Sequence, residues 1–474
     1  MGITTLNLRL DQRKFAVICF SFFFAWILAV PFEGQVLYAL TEKANVDPSK
    51  YIFISILANF IGLISCGFIV RKQISAKIVM IISILICVSG SMVFFLEFSM
   101  LWYIALIIAS FFAGLFVASF GFYVKNYAAS DQRYKMAADV LIYSNIIMII
   151  INVITVNLSV QLGLMISIAV LLVALVAVYK LEAYPDHKNT IHRSKLEEHK
   201  QLPSVLKPFL ILCLFITIIT INSGLMYQVV TPAYGHFEVL ASYYWAVPYI
   251  LALIILRNLP KQKNQAYILY IAMAMIGLSY IAFMWLDPSI SSYLLIDTLM
   301  LGAFGVCDLF WWSILVRFFD YSDNPARILG IGSSMNVLGI LIGGFLGNKF
   351  LYTEGDHTNA SVIALIIIFI VLIMLPVLNV QLTRLFKNHI FLVKFAKMDE
   401  NEQVKTVQEF KYSDYLTEKE SEVVKLLLKG YTYKGVADSL FVTENTMKYH
   451  IKNIYQKLNI NSKMELIKLF SDKE

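Results

Sequence analysis

At 474 residues, with 59% hydrophobic, 14% aromatic and only 15% charged side chains, the chain is far from the roughly 25% charged composition of a soluble protein and reads as an integral membrane protein. A formal net charge of +7 does not by itself separate a nucleic-acid partner from a membrane one, because membrane proteins also collect Lys and Arg in cytoplasmic loops. Cys19, Cys66, Cys87, Cys213 and Cys307 all lie in apolar runs without CxxC or Cys/His spacing, so they read as small buried hydrophobes and not as a zinc site or disulfide framework.

The amino-terminal MGITTLNLRLDQRK resembles the basic region of a signal peptide. The run after it, however, is long enough to span and has no small-residue cleavage site, so it is expected to stay as the first membrane helix. The MGxxxT opening loosely fits N-myristoylation, which many spans would make redundant. A span needs about 20 mostly apolar residues. Such windows fall at 15–40, 51–70, 77–96, 101–125, 137–155 and 158–181, then at 208–230, 239–256, 266–286, 291–319, 328–350 and 362–382.

Polar groups inside spans are costly and mark the interior of a bundle. In chain order these are Glu33, just after Pro31 in the first window, Asn145 and Asn152 in the fifth, and Asn222, Tyr227 and Gln228 in the seventh. Asp297 and Asp308 follow in the tenth. The two aspartates stand eleven residues apart, close to three helical turns, which puts them on one face with Trp311 and Trp312 nearby. Glu33, Asn222, Tyr227, Gln228, Asp297 and Asp308 are the candidate ligand contacts. Carboxylates, amides and aromatic rings around one cavity suit a small organic ligand, a cation among the candidates. The competing reading is hydrogen bonding between helices. Gly339, Gly343 and Gly347 in the eleventh window repeat every four residues and predict a close-packing seam.

Basic residues gather in one alternating set of connections, among them Arg13 and Lys14, Arg71 and Lys72, Arg133 and Lys135, Arg257 and Lys261, Arg317 and Arg327, and Arg384 and Lys387. The opposite set holds little beyond Lys43, Lys50 and Lys349. This asymmetry predicts an even number of spans with both termini cytoplasmic, in a bacterial inner membrane. The polar stretch 182–207 separates two halves, 1–181 and 208–383. Its His187, His192 and His199 fit no standard zinc spacing and are expected to be solvated.

Six plus six spans around a long middle loop resembles the major facilitator superfamily over about 370 residues. In that family the loop between spans two and three usually reads GxxxD-R/K-x-G-x-R/K-R/K. Here GFIVRKQISAK, from Gly67 to Lys77, keeps the first glycine and the basic residues but lacks the acidic residue and the second glycine. RNLPKQK in the second half keeps only basic character. The departure argues against a full transport cycle.

After the last window, 384–415 mixes basic and apolar residues and then turns polar, which predicts an amphipathic helix along the membrane face followed by a linker. From 416 to 474 the punctuation is helical. Thr417 and Glu420 form a capping box before Val423, Val424, Leu427 and Leu428, and Gly430 ends that helix. Thr432 caps a short second helix with Val436, Ala437 and Leu440 facing inward. Thr443 caps a third with Met447, His450, Ile451, Ile454 and Leu458 as its core stripe, and a last helix begins at Ser462. A short helix, a tight turn and a longer helix make a helix-turn-helix, whose second member enters the major groove. The third helix carries Asn445, Lys448, Tyr449, Lys452, Asn453 and Gln456 opposite the core, with Lys457 at the edge. These groups can pair with base edges and neutralise phosphate.

LTEKESEVV followed by GYTYKGVADSLFVTENTMKYHIKNIYQKLNINSK closely resembles the LuxR-type helix-turn-helix, without gaps. The resemblance implies base reading by Lys448, Tyr449 and Lys452. It implies phosphate contacts from the start of the second helix, at Thr432 and Lys434, and from Thr443, Thr446, Lys457 and Lys463, with Asn445 and Asn453 on the same face. It also implies a dimer contact through the final helix around Met464 to Leu469, and a packed, non-catalytic role for His450. Lys419 stands where arginine is usual, and Gly435 where glutamate is usual, at a cost of about 1 kcal/mol in helix propensity.

The sequence therefore predicts an all-α protein, a bundle of about twelve membrane helices followed by a four-helix LuxR-type domain. Expected partners are promoter DNA, the lipid bilayer, a small-molecule ligand, a second copy on DNA, and RNA polymerase. No Walker loop, GxGxxG, HExxH or nucleophile elbow occurs in a suitable context, so no catalytic residue, metal or cofactor is implied. The predicted function is a membrane-bound transcription regulator. The alternatives are a working secondary transporter with a regulatory helix-turn-helix, and a helix-turn-helix turned to protein interaction.

Overall fold

The computed structural model describes residues 2–32, 34–47, 49–183, 205–237, 240, 244, 246–259, 265–351, 357–410 and 412–471. Among them every regular element is helical. Eleven helices are long and apolar enough to cross a membrane, and Ala246–Asn258 is a shorter apolar one. Helix is the form these sequences must take in lipid, where each backbone N–H and C=O has to find its partner within its own segment.

In chain order the helices are α1 (Gly2–Ala29), α2 (Gln35–Lys43), α3 (Ser49–Ile69), α4 (Gln73–Val93), α5 (Met100–Ser119), α6 (Gly121–Tyr127), α7 (Arg133–Asn157), α8 (Val160–Lys180) and α9 (Leu206–Leu225). They continue with α10 (Ala246–Asn258), α11 (Gln265–Trp285), α12 (Ile290–Phe318), α13 (Pro325–Leu351), α14 (His357–Lys397), α15 (Glu400–Gln408), α16 (Glu418–Leu428), α17 (Tyr433–Ser439), α18 (Glu444–Lys457) and α19 (Lys463–Ser471). They form two compact units, drawn from 1–185 with 212–375 and from 186–211 with 376–474.

In the first unit α1 packs on α7 and α8, α5 on α3 and α4, and α12 on α10 and α11. The two halves meet where α13 lies against α3 and α5, and where α7 lies against α10 and α12. Phe53, Phe68, Leu85, Leu251, Ile271 and Ile373 point outward, as lipid-facing side chains do. The predicted glycine seam is a site of backbone approach. A methyl group on Gly339 would collide with the Thr217 carbonyl, and one on Gly343 with the Ile221 carbonyl. The Thr220 hydroxyl donates across the seam to the Asn336 carbonyl at 3.1 Å.

Two windows differ from expectation. The first is not one helix: α1 stops at Ala29 and α2 starts at Gln35, because Pro31 lacks the N–H that would continue the ladder. The seventh carries a π turn at Met226–Val230. In the window 239–256 the helix Ala246–Asn258 is described, and much of the window's start lies outside the described residues, as do Glu33, His187, His192 and His199.

The stretch 384–415 is the main correction. Instead of a surface-lying helix and a linker, α14 continues to Lys397 and α15 follows after a turn. Phe391, Leu392, Phe395, Val407 and Phe410 are buried in one core with Val423, Leu427, Met447, Leu466 and Phe470. Phe410 stacks on Phe470 with ring centroids 4.0 Å apart. Gln403 secures the end of α14 by donating to the carbonyls of Phe395 and Met398, each at 3.0 Å. A module of about 55 residues buries little apolar surface by itself, so these aromatic side chains enlarge a small core.

Candidate functional site

The helix-turn-helix is built by caps. Thr417 and Glu420 form the expected capping box, and Thr432 accepts from the Gly435 N–H at 2.8 Å, which starts α17 despite the glycine. Thr443 accepts from the Thr446 N–H at 3.2 Å and so sets the start of α18. Between α17 and α18 the chain turns through Phe441, which adopts φ 56° and is 96% exposed.

Met447, Ile451, Ile454 and Leu458 are buried as the periodicity requires, while His450 is only half-buried. This orients the opposite face of α18 outward. Asn445, Thr446, Lys448, Tyr449 and Lys452 are exposed, Asn453 is half-buried, and Thr443 and Lys434 lie beside them in the open. Next to Lys448 and Lys452 is a groove of about 360 Å³, bordered also by Tyr433, Tyr455 and Gln456. Its tyrosine hydroxyls hydrogen-bond to each other at 2.9 Å. Sequence reasoning passed over Tyr433 and Tyr455, whose only signal was aromatic character on two neighbouring helices.

Two of the expected phosphate contacts are instead engaged inside the module. Lys457 Nζ is paired with Glu420 Oε2 at 2.6 Å. Burial raises the Glu420 carboxyl, but the Lys457 ammonium and the Thr417 donors outweigh it and hold the group below its ordinary value. Lys463 Nζ donates to the Tyr431 carbonyl at 2.6 Å, and burial lowers its pKa to about 8.

In the first unit, a cavity of about 980 Å³ lies between the two halves. Phe24, Asn145, Asn152, Tyr227, Tyr249, Asp297, Asp308, Trp311, Trp312, Ser333 and Asn336 are among its lining. Of the predicted ligand contacts, Tyr227, Asp297 and Asp308 border it. Asn222 and Gln228 do not. Asn222 is fully buried, its backbone carbonyl accepting from the Tyr280 hydroxyl at 3.0 Å, and Gln228 packs on the glycine seam at Gly347.

Asp308 accepts from the Tyr249 hydroxyl at 2.8 Å and from the Trp311 indole at 3.0 Å. Asp297 Oδ2 is buried without a hydrogen-bond partner among the described residues. Tyr249 was missed because its window is apolar almost throughout and gives no sign of which face turns inward.

Near the amino-terminal end of α7 the halves are tied together through Arg257 and Asp320. Asp139 pairs with Arg13 at 3.7 Å and also with Arg257, and Arg133 pairs with Asp320 at 2.8 Å. Asn324 Nδ2 donates to the carbonyls of Gly67 and Val70 at 3.0 Å each. The loop that lacks its usual acidic residue is therefore held through its backbone. Gly67 is required there, since a Cβ would fall 2.7 Å from the Cα of Arg327. The cavity reaches towards the other end, where Glu42, Lys43, Thr155 and Gly235 border it.

Residues 15–344 match the Major Facilitator Superfamily, and residues 414–470 match the bacterial regulatory proteins of the luxR family. The chain belongs to the Major Facilitator Superfamily and carries a luxR-family helix-turn-helix domain near its carboxyl end. It is 37% identical over 60 residues to the spore germination protein GerE of Bacillus subtilis (strain 168), an alignment covering 13% of this chain and 81% of GerE. It is 33% identical over 76 residues to the transcriptional regulatory protein DegU of Brevibacillus brevis, covering 15% of this chain but only 32% of DegU. With the oxygen regulatory protein NreC of Staphylococcus carnosus it shares 44% over 52 residues, covering 11% of this chain and 24% of NreC.

The membrane part has the fold of the human organic anion transporter MFSD10, with a TM-score of 0.61 and 11% identity over 77% of this chain and 99% of that one. It also resembles a bacterial homologue of the iron transporter ferroportin in the outward-facing state, with a TM-score of 0.58 and 16% identity over 78% of this chain and 99% of that one.

Proposed function

We propose that the protein is a membrane-bound transcription regulator of the bacterial inner membrane, with both termini cytoplasmic. Its helix-turn-helix reads promoter DNA as a dimer, and its transporter-like bundle receives the signal as a small organic ligand. The observation that carries this reading is the outward face of α18. There Lys448 and Lys452 stand exposed beside Tyr449 and make no ion pair among the described residues, whereas Lys457 is engaged by Glu420. Uncommitted cations on a capped recognition helix are the groups that phosphate and guanine edges require. Ligand binding would act by preferring one arrangement of the two halves, which in turn alters whether two modules can pair.

The test is chromatin capture of the tagged full-length protein beside a form lacking the bundle. Discrete promoter occupancy that depends on the bundle is expected, and loss of occupancy with Lys448→Ala and Lys452→Ala together. Absence of specific occupancy by the full-length protein would sink the reading and leave the helix-turn-helix as a protein-interaction module.

A second reading, a working secondary transporter, is favoured by the intact cavity between two halves paired at one end. Uptake into proteoliposomes that Asp308→Asn abolishes would establish it.

A further inference from the structure

We propose that the cavity takes an elongated organic dication, two ammonium groups on one apolar chain, held lengthwise with one end at Asp297 and the other at Asp308. The proposal rests on reading the cavity as a ligand site and names the class of ligand.

Both carboxylates border the same cavity and come from the same face of α12. Eleven residues at the helical rise separate them by about 16 Å along the axis. Neither has a cationic partner among the described residues. Asp308 is met by neutral donors, Tyr249 and Trp311, and Asp297 Oδ2 by none. The lining has one basic side chain, Lys43, and it sits on α2 next to Glu42. Anions are disfavoured by this balance. A single cation is also a poor fit, because it would leave the other carboxylate unpaired in a low-dielectric site.

Between the two aspartates the helix presents Met300, Leu301 and Phe304 to the cavity, an apolar wall that matches a methylene chain. Leaving one hydrogen-bond length at each end, the two ammonium groups belong on a chain of about eight methylenes.

The test is calorimetric titration of the purified full-length protein with α,ω-diamines of four to twelve carbons and with octylamine. Affinity is expected to peak near eight carbons. The eight-carbon diamine should bind about tenfold tighter than octylamine or more, the effect of one further charge-assisted contact. Asp297→Asn and Asp308→Asn should each reduce the diamine to the level of octylamine. Octylamine binding as tightly as the diamine, affinity without a length optimum, or no diamine binding overturns the proposal. The length series needs only the unaltered protein, so it holds even if a variant fails to fold. Diamine binding that leaves promoter occupancy unchanged counts against the sensor reading and not against this one. Occupancy that responds to other compounds while diamines fail to bind does the reverse.

Discussion

On α18 the same residue type does two jobs, and the difference is set by what each lysine meets. Lys448 and Lys452 meet solvent, whereas Lys457 meets a buried carboxylate. Alanine at Lys448 and Lys452 should therefore leave the melting temperature of the module unchanged and cost specific DNA binding about 1 to 3 kcal/mol each, with relaxed sequence preference. Lys457→Ala should instead cost about 1 to 2 kcal/mol of stability, because it removes the charged partner of the buried Glu420 and leaves only the Thr417 donor to it. Chemical denaturation and fluorescence anisotropy separate the two cases.

Lys463 adds a pH signature. Its folded pKa of about 8 lies below the ordinary lysine value of 10.5. Below about 8 both folded and unfolded states hold the proton, and the burial penalty is present in full. Between 8 and 10.5 the unfolded state holds more protons, so stability rises with pH. Melting residues 385–474 at several pH values against Lys463→Met should show a gain through this window that the variant lacks. Glu420 works at the other end, where its lowered value contributes stability above the ordinary carboxylate range that is lost on acidification.

At the scale of elements, the extension of α14 is part of the DNA-binding unit. Phe395 is fully buried in its core, so Phe395→Ala should cost about 3 to 5 kcal/mol. A fragment beginning at 416 should melt well below one beginning at 385, as calorimetry of the two would show. These contacts were not legible in the sequence. A run such as LFKNHIFLVKFAK has the same mixture of basic and apolar residues whether its apolar face meets lipid or other helices, and only the partner surface distinguishes them.

Other features were legible because their cause is local. The capping box at Thr417 needs only Glu420 three residues on. The core stripe of α18 follows from helical period, and the glycine seam from a four-residue repeat. The cavity was half legible: Asp297 and Asp308 share a face by arithmetic on one straight helix. Asn222 and Gln228 share the seventh window with Tyr227 but do not border the cavity, and hydropathy is blind to such facing.

At the scale of the membrane unit, the feature that bears on signalling is the pairing of the halves at one end. Asp139, on α7 of the first half, holds Arg257 on α10 of the second as well as Arg13 on α1, and Arg133 with Asp320 repeats the tie a few residues away. The cavity is bordered by residues running to the opposite ends of these helices. On the reading proposed above, the paired arrangement exchanges with one open at this end, and its population depends on the ties. Asp139→Asn removes two ion pairs, of which the one to Arg257 joins the halves. At about 1 kcal/mol for partly exposed pairs, the equilibrium should move about fivefold or more towards opening at this end. A cysteine in place of Asn145, in a background where the five native cysteines are replaced, reports the change. Its labelling by a membrane-impermeant thiol reagent should quicken from the side bearing the amino terminus and slow from the other. The same substitution then distinguishes the two readings of the whole protein. If the bundle governs the DNA-binding module, Asp139→Asn shifts promoter occupancy with no ligand added. If the bundle only transports, accessibility changes and occupancy does not.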